Sequence, residues 1–289
     1  QAYRSQMDAL SPQPARIGSV GQLGGGGDAL PIIFGDFRLD ADIGQGAFGK
    51  VYRAHQIRLD RTVAIKFLRD RTADERDAAL AEARAIAKLG QHPNVVTIYS
   101  VEPIDNLPAI VMEYLPGGPL SKKIRSSSAP SGFLLIDEAV RFVEQLAQAL
   151  KFVHDGGIIH RDVKPGNALL DRSGQAVKLS DFGIATSVPT SSTNGRPATS
   201  GPAGTRDYMA PELFRGSRAD QRTDLYALGV LAFELLAGSR PFTDANQNDG
   251  SASSVRAREV GHQRPDAPPH IAQAITRLLD PDPRARFPS

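Results

Sequence analysis

From Phe34 onward, apolar and polar residues alternate: Phe37, Leu39, Ala41 and Ile43 fall on every second position, the period of a half-buried strand. Val51-Tyr52-Arg53-Ala54 and Thr62 to Leu68 read as further strands. Over 73–89 the period lengthens to three or four, with Leu80, Ala83, Ile86 or Ala87, and Leu89 on one helical face. Strands resume at Val95 to Ser100 and Pro108 to Glu113, so the first third predicts a sheet with one helix. The remainder is mostly helical. Val140, Val143, Leu146, Leu150 and Val153 mark one buried face, and Gly156-Gly157 can supply the left-handed residue that ends that helix. A second helix runs from about Thr223 through Leu225, Leu228, Leu231 and Leu235 to Gly238, with Pro241 beyond it. Short strands are predicted around Ala168-Leu169-Leu170 and Val177-Lys178-Leu179.

Three stretches carry no period. Residues 1–31, with Pro12, Pro14 and the run Gly24 to Gly27, read as a flexible tail. Residues 186–203 form a long Ser/Thr/Pro/Gly-rich loop, and 244–254 a second polar stretch. At 289 residues the chain is long enough for one large domain or two lobes sharing a core. Its 40% hydrophobic and 23% charged content is ordinary for a globular protein. A formal net charge of +2 gives no argument for a nucleic-acid or anionic-lipid partner. The absence of cysteine excludes disulfides and thiolate metal sites, and no apolar run is long enough to span a membrane. Starting at Gln1 rather than Met, the chain is read as a piece of a longer one.

The chemistry lies in an ordered series of short motifs. Gly44-Gln45-Gly46-Ala47-Phe48-Gly49 is G-x-G-x-x-G, but Lys50-Val51-Tyr52 continues it as a strand rather than a helix. That context favours a hairpin whose glycines let main-chain amides approach phosphates; a plain hairpin turn is the alternative. In the strand Val63-Ala64-Ile65-Lys66, Ala64 and Lys66 share a face. A lysine on the inner face needs a counter-charge. Glu82, four residues before Ile86 on the helix, is the best candidate and Glu75 the alternative; a lysine snorkelling to solvent is the bland reading. His160-Arg161-Asp162 follows, then Lys164, Asn167 and Asp181-Phe182-Gly183. Asp162 is placed to accept or orient the proton of an attacking hydroxyl, and Lys164 to neutralise charge on a transferring phosphoryl group. Asn167 and Asp181 offer the oxygen ligands Mg²⁺ prefers. Each residue alone could be an ordinary turn residue; the ordered set could not.

With Ala210-Pro211-Glu212 completing the series, residues 36–289 resemble a eukaryotic-type protein kinase domain, in a style similar to bacterial serine/threonine kinases. Gly204-Thr205-x-x-Tyr208-Met209, Asp224 and Gly229 also fit. The resemblance implies an α+β, bilobal fold: a β-rich N-lobe with one helix over about 36–112, a hinge at 113–118, and an α-rich C-lobe over 119–289 that lacks its last helix. Residues 1–35 are left as the Gly/Pro-rich tail. It implies ATP and Mg²⁺ as cofactors, with Mn²⁺ able to substitute, and catalytic roles for Lys66 and Glu82 beside Asp162 and Lys164. Gly44, Gly46, Gly49 and Lys66 would contact the nucleotide phosphates. Ile43, Val51, Ala64 and Leu169 would sandwich the purine, Glu113 and Leu115 would offer it backbone groups, and Met112 would stand behind it as gatekeeper. Ile86, Ile98, His160 and Phe182 match the family's stacked column. Glu212 would pair with Arg286, and Asp224 would hold the catalytic loop's backbone.

Lys164, with Thr205, points within the family to serine or threonine hydroxyls of proteins, including the chain's own activation loop. Dimerisation for trans-autophosphorylation is compatible with this, and the implied location is cytoplasmic, as a soluble protein or as part of a larger membrane-anchored one. Arg161 before the catalytic Asp implies control by a phosphate in the following loop, with Thr199 the favoured position. Three departures stand out: Arg206 where the family has proline, Pro119 where many kinases have a polar residue near the ribose, and the polar stretch 244–254. The rival reading is a pseudokinase, a nucleotide-binding or scaffold module without turnover; its usual mark, loss of Lys66, Asp162 or Asp181, is absent.

Overall fold

The structure, a computed structural model, describes residues 16–17, 30–46, 49–68, 72–104, 107–125, 134–182, 206–242 and 260–289. The chain divides into two compact units, residues 1–80 with 98–114, and residues 81–97 with 115–289.

Among the described residues, the first unit is built on a seven-stranded sheet. Its strands are β1 (Arg16–Ile17), β2 (Ile32–Phe34), β3 (Phe37–Gly46), β4 (Gly49–Gln56), β5 (Arg61–Phe67), β6 (Ile98–Ile104) and β7 (Leu107–Glu113), in the spatial order β1-β2-β3-β4-β5-β7-β6. All neighbours run antiparallel except β1 and β2. Period-two placement puts Tyr52 and Ala54, Val63, Ile65 and Phe67, and Ala109 and Val111 into one apolar cluster. The intervening Ala64 and Lys66 are buried too, so β5 is covered on both faces.

Two sequence expectations shift here. The sheet takes in residues assigned to the tail: Ile32 and Phe34 alternate into the core, and Gly35, at φ 55°, turns the chain tightly so that Phe34 faces Phe37. Along β3 the expected alternation fails after Leu39. Register shifts between Leu39 and Ala41 and between Asp42 and Gly44 rotate the strand, leaving Ala41 half-buried and Ile43 40% exposed. The helix α1 (Ala73–Leu89) has the predicted span; its buried positions are Ala79, Ala83 and Ile86.

The second unit holds β8 (Gly118–Pro119), α2 (Leu120–Arg125), α3 (Ile136–Asp155), β9 (Ala168–Leu170), β10 (Val177–Leu179), a 3₁₀ turn (Arg206–Tyr208), α4 (Pro211–Phe214), α5 (Gln221–Ala237), α6 (Val260–Gln263) and α7 (Pro269–Leu278). The buried face of α3 is Ala139, Phe142, Leu146, Ala149, Leu150 and Val153, with His154 at its end. Val140 and Val143, expected on that face, lie one position further round and are half-buried. Gly157, at φ 75°, closes α3: its N–H bonds the carbonyl of His154, and Ile158 N–H bonds that of Val153. Asn94 ties the segment after α1 to β10, its Nδ2 donating to Val177 O at 2.9 Å while Leu179 N–H donates to Asn94 O at 2.8 Å.

The helix α5 is apolar almost all round and buried along nearly its whole length, as an axial helix must be. Asp220 caps its N-terminus, Oδ1 accepting from Arg222 N (2.8 Å) and Thr223 N (3.3 Å). A Cβ at Gly229 would lie 2.7 Å from the Leu278 Cβ, so α5 and α7 approach at backbone distance there. Arg286, 2% exposed, forks onto Glu212: Nη1 to Oε1 at 2.7 Å and Nη2 to Oε2 at 2.8 Å. Its remaining donors reach Asp280 O and Arg222 O, and its guanidinium sits 4.8 Å from the Tyr226 ring centroid.

Arg286→Ala strands the Glu212 carboxylate in the interior and should cost about 3–5 kcal/mol, read as a lower urea midpoint by circular dichroism. Gly229→Val forces α5 away from α7, with an expected loss of about 1–3 kcal/mol in the same assay.

Candidate active site

The loop after α3 is hung on one carboxylate. Asp224, in the first turn of α5 and 1% exposed, accepts at Oδ2 from His160 N–H (2.8 Å) and His154 Nε2–H (2.8 Å), and at Oδ1 from Arg161 N–H (2.7 Å). Charge-assisted bonds of this kind offset the desolvation of a buried acid. They also hold Arg161 at φ 65°, a left-handed conformation that costs a non-glycine residue on the order of 1–3 kcal/mol and persists only when its surroundings impose it.

His160 links this loop to the segment after β10. Its Nδ1 accepts from Asp162 N–H (3.2 Å), so the ring proton resides on Nε2, which donates to Ser180 O (3.0 Å). Burial pushes the ring below the ordinary imidazole value, outweighing the Asp224 and Asp162 charges that pull the other way, and keeps this neutral tautomer. The ring packs on Phe182, with centroids 4.6 Å apart. Asp181, between Ser180 and Phe182, is left-handed at φ 54° and half-buried.

Asp162 projects from this scaffold among fixed donors. Lys164 Nζ reaches both its carboxylate oxygens, at 2.9 and 2.7 Å; Asn167 Nδ2 donates to its Oδ2 and to its main-chain oxygen, each at 2.8 Å. Oδ2 thus carries two donors and Oδ1 one, which leaves Oδ1 able to accept another proton donor. With its amide nitrogen so engaged, Asn167 presents an oxygen that takes no hydrogen bond among the described residues. No group of three or more His, Cys, Asp or Glu able to hold a metal occurs among the described residues. An amide oxygen and one carboxylate nevertheless suit Mg²⁺, which is typically bound by one or two protein oxygens together with substrate phosphates.

A small concavity adjoins Asp162, with Val163, Tyr208, Met209 and Ala210 among the residues that line it. Tyr208 donates its hydroxyl to Glu234 on α5, and Asp207 pairs with Arg240, so the 3₁₀ turn is pinned at two points. Burial, reinforced by the Glu234 charge, pushes the Tyr208 hydroxyl well above the ordinary phenol value and keeps it a donor.

The other predicted residues fall as follows. Gly44 and Gly46 face Val51 and Gly49 across the β3–β4 hairpin, and Gly44 N–H bonds Asp42 Oδ1 (3.1 Å); residues 47–48 lie outside the described residues. On β5, Ala64 faces Met112, and Lys66, 2% exposed, faces Val51 and Ile110. Glu113 faces Val63, and Met112 is 9% exposed. Glu82 is half-buried on α1. In the second unit Leu115 is buried, and Leu169 on β9 pairs with Lys178 and Pro119. Gly183, Thr199 and Thr205 lie outside the described residues. Sequence reasoning missed His154, Ser180 and the Tyr208–Glu234 contact. An imidazole closing an apolar helix face was the only local signal for the first; the other two carried none.

Comparison with known proteins gives the family. The family model described as "Protein kinase domain" matches residues 37–288. The chain is 36% identical over 254 residues to the serine/threonine-protein kinase PrkC of Bacillus subtilis, covering 86% of this chain and 37% of that one. It is 40% identical over 257 residues to the probable serine/threonine-protein kinase PknB of Lactococcus lactis (86% and 38%), and 38% identical over 256 residues to Pkn3 of Myxococcus xanthus (84% and 45%). The chain therefore spans less than half the length of these curated relatives. Among solved structures, the Mycobacterium tuberculosis PknI kinase domain matches with a TM-score of 0.67 at 26% identity, over 90% of this chain and 94% of that one. Motifs, fold and matches converge: the chain belongs to the protein kinase domain family.

Proposed function

We propose that the chain is an active serine/threonine protein kinase that transfers the γ-phosphoryl group of ATP to hydroxyls of protein substrates, its own activation loop among them. The observation that carries this reading is the Asp162 carboxylate, held by Lys164 and Asn167 with Oδ1 still able to accept a proton donor. An acceptor hydroxyl oriented by Asp162 attacks the γ-phosphorus; the bond to the bridging β–γ oxygen breaks, ADP departs, and the hydroxyl proton passes to Asp162. Lys164, already at hydrogen-bond distance from Asp162, is positioned to offset negative charge beside it. Asn167 and Asp181 are the proposed ligands of Mg²⁺, which when bound neutralises charge on the phosphates. Lys66 and the glycines of the β3–β4 hairpin are assigned to the phosphates, with Glu82 the proposed partner of Lys66. Ile43, Val51, Ala64, Met112, Glu113, Leu115 and Leu169 are assigned to the adenine pocket.

Regulation is assigned to Arg161 and Thr199. The Arg161 side chain is exposed and springs from a backbone tied to Asp224, so it offers a phosphate an accessible cation anchored to the loop that carries Asp162. Among the described residues, no helix is long and apolar enough to cross a membrane.

Incubation of the purified chain with labelled ATP and Mg²⁺ tests the reading. Asp162→Asn should lower transfer by about 10²–10⁴-fold while the melting temperature stays within a few degrees of the parent's; undiminished labelling of that variant would remove Asp162 from the mechanism. Phosphopeptide mapping of the active chain should place phosphate between residues 181 and 212, and Thr199→Ala should reduce it. A map with no modification there would end the activation-loop assignment.

A further inference from the structure

Ser180 connects β10 to Asp181, and three hydrogen bonds fix it. Its N–H (2.8 Å) and its hydroxyl (3.0 Å) both donate to the carbonyl oxygen of Asn167, while its own carbonyl accepts the Nε2 proton of His160 (3.0 Å). The residue is 4% exposed. One backbone N–H would already satisfy the Asn167 carbonyl. The hydroxyl adds a second tie from the same residue, which restrains Asn167 from turning relative to the start of the Asp181 segment. Asn167 is engaged through its own carbonyl, and Asp181 through the peptide bond that joins it to Ser180.

We propose that Ser180 is a positioning residue for the divalent cation, its hydroxyl setting the placement of the Asn167 amide oxygen against the Asp181 carboxylate. The inference rests on the reading of Asn167 and Asp181 as metal ligands. Two further observations favour it. The Asn167 side chain is clamped through Nδ2 to Asp162 and its N–H donates to Lys164 O (3.0 Å), so its carbonyl, the side that Ser180 ties, is the last of its polar backbone groups to be held. Asp181 holds a left-handed backbone at φ 54°, which a non-glycine residue keeps only under constraint, and Ser180 is the residue immediately before it. Mg²⁺ demands near-ideal octahedral geometry at short oxygen distances. A small drift of one ligand therefore falls on metal affinity, while the surviving backbone bond from Ser180 N–H keeps the fold.

The test compares the full chain with Ser180→Ala. Calorimetry measures binding of a non-hydrolysable ATP analogue with Mn²⁺ and again in chelator, and the electron paramagnetic resonance of Mn²⁺ reports bound metal directly. Loss of the hydroxyl should weaken Mn²⁺-nucleotide binding by about 10-fold, as removal of other outer-shell partners does, with metal-free nucleotide binding changed by less than about twofold on the same scale. Equal weakening in both arms, no change in either, or an unfolded variant would each overturn the assignment. If the parent chain itself gained no affinity from Mn²⁺, the metal-ligand reading would fall and this inference with it. If the parent gains affinity and the variant matches it, only the role of Ser180 is lost.

Discussion

A carboxylate taken out of water must recover its lost hydration from fixed donors, and Asp224 recovers it from His154, His160 and Arg161. Two of those donors are main-chain amides of consecutive residues, so satisfying the acid also dictates the path of the chain into Asp162. The cost of leaving Asp224 unpaired thereby supports the unfavourable backbone of Arg161. Stability and site geometry are one interaction seen from two ends. His154, buried with an Nδ1 that has no hydrogen-bond partner among the described residues, leaves its own bonding incomplete while completing that of Asp224.

His160 extends the same logic to the segment carrying Asp181. Its ring is fixed in tautomer from both sides, accepting from Asp162 and donating to Ser180. A proton gained at Nδ1 would turn an acceptor into a donor facing an N–H, and burial opposes that gain. The imidazole therefore acts as a rigid spacer whose hydrogen-bond polarity is constant, and Phe182 packs against its ring rather than against water.

Most of the fold was legible because its signals are local. The apolar, β-branched run across 62–68 and the period near 3.6 across 73–89 are written in consecutive residues, and β5 and α1 followed them. What the periods could not fix was rotation: the β3 register shifts and the turn of α3 toward Ala139 and Phe142 depend on what each element packs against. The strand Ile32–Phe34 was hidden by its glycine-rich neighbourhood, although Ile32 and Phe34 already alternate. At the site, the charged residues announced themselves by spacing. His154 and Ser180 did not, because their importance lies in partners 70 and 13 residues away in sequence. Tyr208 and Glu234 are likewise ordinary residues until the chain brings them together.

The helix α5 carries Asp224 in its first turn and Glu234 in its last. Ten residues at 1.5 Å each set these two acids about 15 Å apart along the buried helix. One holds the loop that carries Asp162; the other holds Tyr208 in the 3₁₀ turn. The helix is thus a ruler, fixing how far the loop bearing Asp162 stands from the Arg206–Tyr208 turn. Adding or deleting a single residue between them would swing one acid about 100° around the axis relative to the other. The length of α5 between 224 and 234 therefore sets the geometry of the site in a way that no exchange of the side chains between them can.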